Sequence, residues 1–388
     1  MSLVLPPGWA KALKPGGTDV RLDSGVVIEL RRSDIRLQAG GRLQYDLNLA
    51  SSDSVDDDHR LRRLYATLRG RHRRLFFKAE WNFAGRQTDI VDLYAGLDKL
   101  PWIGRLRFGH LKEPIGLERL TSNTDSLFVE RSLGATVFMD SRNLGLVMDN
   151  TALQGRLFWS GGIFREASGV EAGEGALNYT ARVSLIPWRQ GNSRLLQLGF
   201  SGSRRKYVDS RLRFAESAES VFSQRLLDTG ELRASSGRVL QPELSFKWGA
   251  FSVQSEWTRS SIRWTPETSG PLPAPARWVD FHSGYLQFAW ALNQGGHRPF
   301  DFRRARYTRM RGFEPVHRGG AGGWEVAARW SMIDLDEGDI RGGRMRSATL
   351  GVNWYPSRFS RLTVNYIHSR PHQAETIHRL QARLQLAF

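Results

Sequence analysis

The chain has 388 residues, no cysteine and a formal net charge of +17; lysine supplies only seven of its 56 basic residues, so 49 are arginine. Without cysteine it can form neither a disulfide framework nor a thiolate metal site, and its charge predicts an anionic partner: nucleic acid, anionic lipid or a small anion. Mean hydropathy is −0.42, and no apolar run approaches the ~18 residues of a membrane-spanning helix. Transmembrane strands are compatible with these values, because strands of ~10 alternating residues average to a polar hydropathy.

Residues 1–34 are predicted to be an irregular, Pro- and Gly-rich lead-in, with a short strand at Val26–Arg32 (VVIELRR). The first residues, MSLVLPPGWAKALKPGG, lack the apolar core and small-residue cleavage site of a secretory signal. If the protein is exported, we therefore interpret the chain as a mature form with an added Met, or as one whose start codon was placed too late.

From residue 35 to residue 388 the sequence repeats one pattern. Alternating segments of about 8–12 residues are separated by Gly, Asp, Asn and Pro clusters, which predicts strands and turns. The sixteen segments are 35–50, 61–69, 74–83, 89–97, 104–111, 143–149, 152–165, 176–186, 193–203, 239–248, 250–262, 278–291, 322–334, 345–354, 361–369 and 378–388. An even number of strands suits a single-chain transmembrane antiparallel β-barrel. We therefore predict one all-β barrel domain over residues 35–388.

The connections between these segments alternate in length. Short ones alternate with longer ones, as periplasmic turns and outer loops do in such barrels. The connection 292–321 breaks the rule, because it is long but would fall on the periplasmic side. Either it contains further strand residues, or the count is wrong by two at that point.

The longest polar excursion, about 112–142, separates two short strands. Its apolar Leu117, Leu127 and Phe128 need something to pack against, and connections of this length are usually functional or disordered. We predict a loop folded into the barrel, narrowing the opening and bringing charged side chains to it. These are Lys112, Glu113, Glu118, Arg119, Arg131 and Arg142.

The alternation also predicts which side chains face the lumen. Tryptophans near strand ends, together with Tyr355 and an apolar-alternating last strand that ends at Phe388, favour lipid around the apolar face. The opposite face would then line the lumen, where rings of Arg or Lys select anions. Its basic candidates are Arg63, Arg69, Lys78, Arg105, Arg107, Arg156, Arg182, Lys247, Arg329 and Arg383. The alternative is that these charges only neutralise lumenal acids such as Glu80, Asp92, Glu256 and Glu325.

The stretch KEPIGLERLTSNTDSLFVERSL, followed by SRNLG, resembles the constriction-loop region of the phosphate-selective porin family (porins O and P). GFEPVHRGGAGGWEVAARWSMIDLDEGDI and ATLGVNWYPSRFSRLTVNYIHS resemble the family as well, and the likeness covers about residues 35–388. It implies a Gram-negative outer-membrane porin, a homotrimer and passive diffusion of anions, phosphate or polyphosphate among them.

The resemblance also implies roles for individual residues. Arg63 and Tyr65, within RRLY, match an inward Arg and Tyr of the family's anion pathway, and Asp92 matches a lumenal acid that helps anions dissociate. Strongly phosphate-specific members place several lysines around the opening, whereas this chain offers only Lys112, beside Glu113. General anion preference is therefore predicted ahead of phosphate specificity.

Two other classes of function stay open. Basic and aromatic residues interleave in FRRARYTRMRGF, which suits a soluble nucleic-acid-binding protein; in a porin, the basic clusters 204–213 and 303–311 would instead attract anions or contact lipopolysaccharide. A barrel enzyme is disfavoured, since no catalytic motif, cofactor motif or metal-ligand spacing is present. We predict no nucleic-acid partner, no cofactor and no metal.

Overall fold

Period-two alternation gives each strand one apolar and one polar face. The computed structural model describes residues 18–22, 25–30, 33–52, 59–139, 142–165, 176–207, 211–266 and 274–388. The elements are β1 (Thr18–Leu22), β2 (Val26–Leu30), β3 (Ile35–Ser51), β4 (His59–His72), β5 (Leu75–Asn82), β6 (Asp89–Leu100), β7 (Gly104–Leu111), α1 (Leu117–Leu120), β8 (Asn143–Ala152), β9 (Leu157–Arg165), β10 (Leu177–Gln190), β11 (Arg194–Lys206), β12 (Arg211–Leu212), β13 (Ala215–Ser217), β14 (Arg225–Asp228), β15 (Leu232–Trp248), β16 (Phe251–Trp264), β17 (Arg277–Ala291), β18 (Phe300–Asp301), β19 (Arg306–Tyr307), β20 (Gly323–Glu337), β21 (Ile340–Tyr355), β22 (Ser360–Pro371) and β23 (Ile377–Ala387).

Sixteen of these strands form a closed antiparallel barrel, as the sequence predicts. They are β3 to β11, β15 to β17 and β20 to β23. The barrel closes because β23 pairs with β3, from Arg379 opposite Ser51 to Ala387 opposite Arg42. The predicted lead-in strand is β2, which pairs with the start of β3 and with β1; residues 1–17, 23–24 and 31–32 of the lead-in lie outside the described part.

The connections lie at two ends of the barrel. We call the end where β3 begins and β23 finishes the turn end, and the opposite end the loop end; short periplasmic turns and longer outer loops are typical of such barrels. The connection 292–322 lies at the turn end, and the strand count is correct there, since its two-residue strands β18 and β19 pair only with each other. The predicted loop 335–344 is wrong: β20 and β21 pair up to Glu337 opposite Ile340 and leave a two-residue turn.

Three connections fold into the barrel and form its internal core. At the loop end, Phe138 of the connection 112–142 packs against Phe214 of the connection 207–231, with ring centroids 5.2 Å apart. Phe214 in turn packs against Phe281 of the wall, with ring centroids 5.4 Å apart. At the turn end, Phe300 and Tyr307 of the connection 292–322 pack against buried apolar residues of β9, β10 and β11. This packing fills the side of the barrel formed by β10 to β22 and leaves space beside β3 to β8.

The outer face of the barrel is apolar. Leucine, valine and aromatic side chains project outward along the strands, and Phe108 is 61% exposed. An apolar belt around the whole barrel needs lipid, so the soluble nucleic-acid-binding alternative is wrong. Tyr355, predicted to belong to the aromatic girdle, is instead 2% exposed; it lies on the inner face of β21, where its hydroxyl donates to Glu325 Oε2 at 3.1 Å.

In the part of the chain that the structure describes, no helix is both long and apolar enough to cross a bilayer.

Candidate functional site inside the barrel

Two cavities lie in the space beside β3 to β8. The upper cavity, of about 400 Å³, opens toward the loop end, and the lower cavity, of about 450 Å³, opens toward the turn end. Both are lined by Lys112, Asn123 and Arg142. The two cavities therefore meet at these three side chains, which we call the junction.

The loop 112–142 holds the junction in place by hydrogen bonds to the opposite wall. Gly116 has a φ of 73°, which lets the chain turn into α1. The backbone N–H groups of Leu117 and Glu118 then donate to Glu256, the latter at 2.8 Å. Farther along, the Val129 N–H donates to Asn365 Oδ1 at 2.8 Å. The loop is thus fixed to β16 and β22, and its basic edge faces β3 to β8.

The junction has a surplus of positive charge. Lys112 Nζ donates to the Arg119 carbonyl oxygen at 2.8 Å, so among the described residues its hydrogen-bond partner is a neutral group. Burial, followed by the nearby guanidinium groups of Arg131, Arg142 and Arg306, holds the pKa of Lys112 well below its usual value. Arg131 also donates to carbonyl oxygens, at 3.1 Å from Thr121. An anion at this point would relieve the repulsion among these groups.

The lower cavity is lined by nine basic residues and two acidic ones. Asp92 accepts from Lys78 and from Arg142, the latter at 2.6 Å. Arg105 and Arg107 share one carboxylate, Asp149, each at 2.7 Å. Cations thus outnumber the carboxylates that could neutralise them. Of the predicted pathway residues, the lower cavity contains Arg69, Lys78, Asp92, Arg105, Arg107, Lys112 and Arg142.

The upper cavity is lined by six basic residues and three acidic ones. Arg63 donates to Gln44 Oε1 at 2.9 Å, a neutral partner, and Tyr65 stacks under the Arg42 guanidinium, 4.5 Å from the ring centroid. Burial raises the pKa of Glu216, another lining residue, to about 7. Of the predicted residues, this cavity contains Arg63, Tyr65, Lys112, Arg119, Arg131 and Arg142.

The other predicted pathway residues lie away from both cavities. Arg182 is fully buried and binds Glu243 at 2.8 Å, together with the Ala305 carbonyl oxygen. Arg329 contacts Glu219 and the Glu130 carbonyl oxygen. These arginines hold the inward-folded connections against the wall. Two further predicted residues, Lys247 and Arg156, donate to backbone carbonyls near the turn end.

The two remaining predicted loop residues also have structural contacts. Glu113 accepts from Asn143 at 2.7 Å and from Thr180 at 2.8 Å. Glu118 accepts from the Ser132 hydroxyl at 2.6 Å. Both carboxylates therefore fasten the loop.

Several residues that line the cavities were not among the predicted pathway residues. Arg306, which the sequence analysis includes only in the basic cluster 303–311, reaches the lower cavity because the turn-end connection folds inward. Glu216 and Glu219 reach the upper cavity from the connection 207–231. No local sequence signal predicts that these two connections fold inward. Among the described residues, no group of three or more His, Asp or Glu could hold a metal ion.

Comparison with known proteins identifies a family that matches this barrel. The family model for phosphate-selective porin O and P matches residues 37–388. An uncharacterized protein of Caulobacter vibrioides is 22% identical over 302 residues, 75% of this chain; the chain matches 58% of that relative's length.

Solved porin structures share the fold at low sequence identity. The anion-selective porin from Comamonas acidovorans superimposes with a TM-score of 0.57 at 11% identity, covering 91% of this chain and 100% of that chain. OmpT of Vibrio cholerae, in its trimer form, gives a TM-score of 0.59 at 9% identity, covering 91% and 99%. The outer-membrane channel DcaP of Acinetobacter baumannii gives 0.56 at 9% identity, covering 93% and 99%. These likenesses show the fold, and the family match over residues 37–388 shows that the barrel belongs to the phosphate-selective porin O and P family of the Gram-negative outer membrane.

Proposed function

We propose that this porin is a passive diffusion channel that prefers anions, and that solutes pass from the upper to the lower cavity through the junction of Lys112, Asn123 and Arg142. The observation that carries the proposal is the charge imbalance at and below the junction, where nine basic residues face two acidic ones. Rings of basic side chains attract anions, and many weak sites in series permit release. The anion-selective Comamonas porin shares the fold, which supports the proposal without fixing the solute.

The anion is proposed to be small and multiply hydrogen-bonding, phosphate among others. Guanidinium groups bind phosphate and carboxylate oxygens through two parallel hydrogen bonds. The carboxylates Asp92 and Glu80, on the same wall as Lys78 and Arg42, compete for those donors. This competition supports weak binding and rapid release over tight phosphate specificity.

We further propose that the protein is a homotrimer with no enzymatic activity. A trimer form is recorded for Vibrio cholerae OmpT, which shares the fold. The polar groups at the junction bind one another and the backbone, without the nucleophile and base arrangement that hydrolysis requires. A monomeric mass for the folded protein in native mass spectrometry would contradict the trimer.

The test is the reversal potential of single channels in a planar bilayer under a chloride gradient, with phosphate then added. We expect anion selectivity, and we expect Lys112→Gln to lower the anion-to-cation permeability ratio by roughly fivefold, since one charge at ~4 Å is worth ~1 kcal/mol even in water. Lys99→Gln is the matched control, because Lys99 is exposed at the turn end of β6 and lines neither cavity.

Equal selectivity in the wild type and in Lys112→Gln would overturn the junction as the selective site. Cation selectivity of the wild type would overturn the anion preference itself. Block of the channel current by low phosphate concentrations would show tight phosphate binding and would contradict the weak binding proposed above.

A further inference from the structure

A third hollow lies on the outside of the barrel, away from both internal cavities. It spans the outer faces of β8 to β17 toward the loop end and has a volume of about 900 Å³. Its lining is mainly apolar, with three arginines at the rim: Arg204, Arg238 and Arg263. None of the residues that line it contributes to the passage described above.

The floor of the hollow follows from the strand register. Gly161, Ala181 and Gly202 lie directly opposite one another on β9, β10 and β11. Their row continues to Met148 on one side and Leu240 on the other. Three adjacent strands thus carry at most a methyl group where neighbouring rows carry large apolar side chains, so the surface is recessed there.

The rim carries positive charge that no carboxylate of the described residues contacts. Arg204 and Arg238 are directly opposite each other on β11 and β15, and both are exposed. Like charges in this position are ~5 Å apart at Cβ and destabilise a sheet. Within the described residues, neither these two nor Arg263 has a hydrogen bond or ion pair with a carboxylate. Asp280, on the neighbouring strand, is already bound to Arg259 at 2.5 Å.

The level of the rim in the membrane is set by aromatic residues. Trp278 is directly opposite Arg263, lies 4.9 Å under the Arg238 guanidinium and is 48% exposed. Tyr179 is directly opposite Arg204 and is 50% exposed. Exposed Trp and Tyr side chains are typical of the bilayer interface. The arginines therefore lie at headgroup level in the outer leaflet, and the apolar hollow extends from them toward the hydrocarbon.

We propose that this hollow binds one phosphorylated, multiply acylated glycolipid of the outer leaflet, of the lipid A class. An acyl chain occupies the recess over Gly161, Ala181 and Gly202, and a phosphate bridges Arg204 and Arg238, whose guanidinium groups bind phosphate bidentately. A bound phosphate removes the repulsion between the two cations. A second copy of the chain fits less well, since it would bury three unpaired arginines, and charged residues are depleted from interface cores.

The test uses the purified, folded protein and native mass spectrometry, with hexa-acylated diphosphoryl lipid A as the probe and phosphatidylglycerol as the competitor. We expect one lipid A per chain, retained at least tenfold better than phosphatidylglycerol. Arg204→Gln with Arg238→Gln should reduce retention at least tenfold. The matched control is Arg346→Gln with Arg370→Gln, an outward Arg–Arg pair directly opposed on β21 and β22, away from the hollow.

A second variant fills the hollow while it keeps the charges. A Cβ at Gly202 would have its nearest neighbour at 3.5 Å, and one at Gly161 would have none within 4 Å, so a side chain can start at either position without a clash at its Cβ. Gly161→Leu with Gly202→Leu should also lose lipid A. Single-channel conductance should stay unchanged in every variant, which separates this site from the passage.

Three results would overturn the proposal: phosphatidylglycerol retained as well as lipid A, equal lipid loss in the control pair, or lipid A retained by the filled variant. Dissociation of the oligomer in the filled variant would assign the hollow to a subunit contact instead.

Discussion

Arginine has a different role on each of the two sides of the barrel interior. On the wall from β10 to β22, Arg182 and Arg329 are buried against Glu243 and Glu219, and they hold the inward-folded connections. On the wall from β3 to β8, Arg105 and Arg107 share one carboxylate beside open space. Under the proposed function, a basic side chain of this barrel acts on the solute only where carboxylates are too few to neutralise it.

The largest effect should come from breaking a pair on the packed wall. Arg182→Met leaves Glu243 buried and uncompensated, and the side chains of this pair are both 0% exposed. Such a loss costs about 3–5 kcal/mol of the free energy of unfolding, measurable by urea titration in lipid vesicles. Ion selectivity should stay unchanged, since Arg182 lines neither cavity.

The double variant Arg182→Met with Glu243→Leu is the control, because it leaves no unpaired charge and should regain most of the stability. A single variant as stable as the wild type would show that the packed wall does not depend on this pair.

A smaller effect, on selectivity alone, is expected on the open side. Arg306 lines the lower cavity and donates to the Leu120 carbonyl oxygen; among the described residues it has no carboxylate within ion-pair distance. Arg306→Gln should lower the anion-to-cation permeability ratio two- to fivefold, as one charge at ~4 Å is worth ~1 kcal/mol. The unfolding free energy should change by no more than ~1.5 kcal/mol, the net worth of one hydrogen bond.

Reversal potentials and urea titrations of the same preparation measure both quantities. A large loss of stability with unchanged selectivity would show that Arg306 has a structural role like that of Arg182 and does not act on the solute.

The smallest effect should be a pH dependence at the upper cavity. Because burial raises the pKa of Glu216 to about 7, its carboxyl is neutral below that pH and negative above it. Anion preference should therefore fall slightly between pH 6 and pH 8, and Glu216→Gln should lessen the fall.

The same shift affects folding. The pKa of the Glu216 carboxyl is 4.5 in the unfolded chain and is raised to about 7 in the folded protein. Its contribution therefore makes the folded state less stable as pH rises through this window and changes little above it. A stability that rises between pH 5 and pH 7 equally in wild type and Glu216→Gln would contradict the assignment.

The barrel could be predicted from sequence because period-two alternation is a local property. All sixteen strands were found, and most errors were at strand ends: β15 begins at Leu232, and β20 and β21 extend through most of 335–344 to a two-residue turn. The inward position of 112–142 was predictable from apolar residues in a polar loop. The inward fold of 207–231 and 292–322 was not, since nothing local distinguishes an outer loop from one that packs Phe214 or Phe300 inside.

The division of arginines between the two sides was equally beyond the sequence. Alternation places Arg107 and Arg182 on the inner face alike. Whether each is neutralised depends on carboxylates that are distant in sequence, such as Glu243, which lies two strands away on β15 and 61 residues from Arg182 along the chain. Long-range pairing of this kind decides which charge remains available to a solute.

The loop 112–142 has a consequence for the transport kinetics of the proposed passage. Its three junction residues lie between two chambers in series, so an ion that leaves the first must find the second vacant. Two ions of like sign in adjoining chambers repel each other, and that repulsion speeds the exit of the forward ion. Current should therefore rise with concentration only until both chambers are occupied, and then level off at the exit rate of the chamber nearest the periplasm.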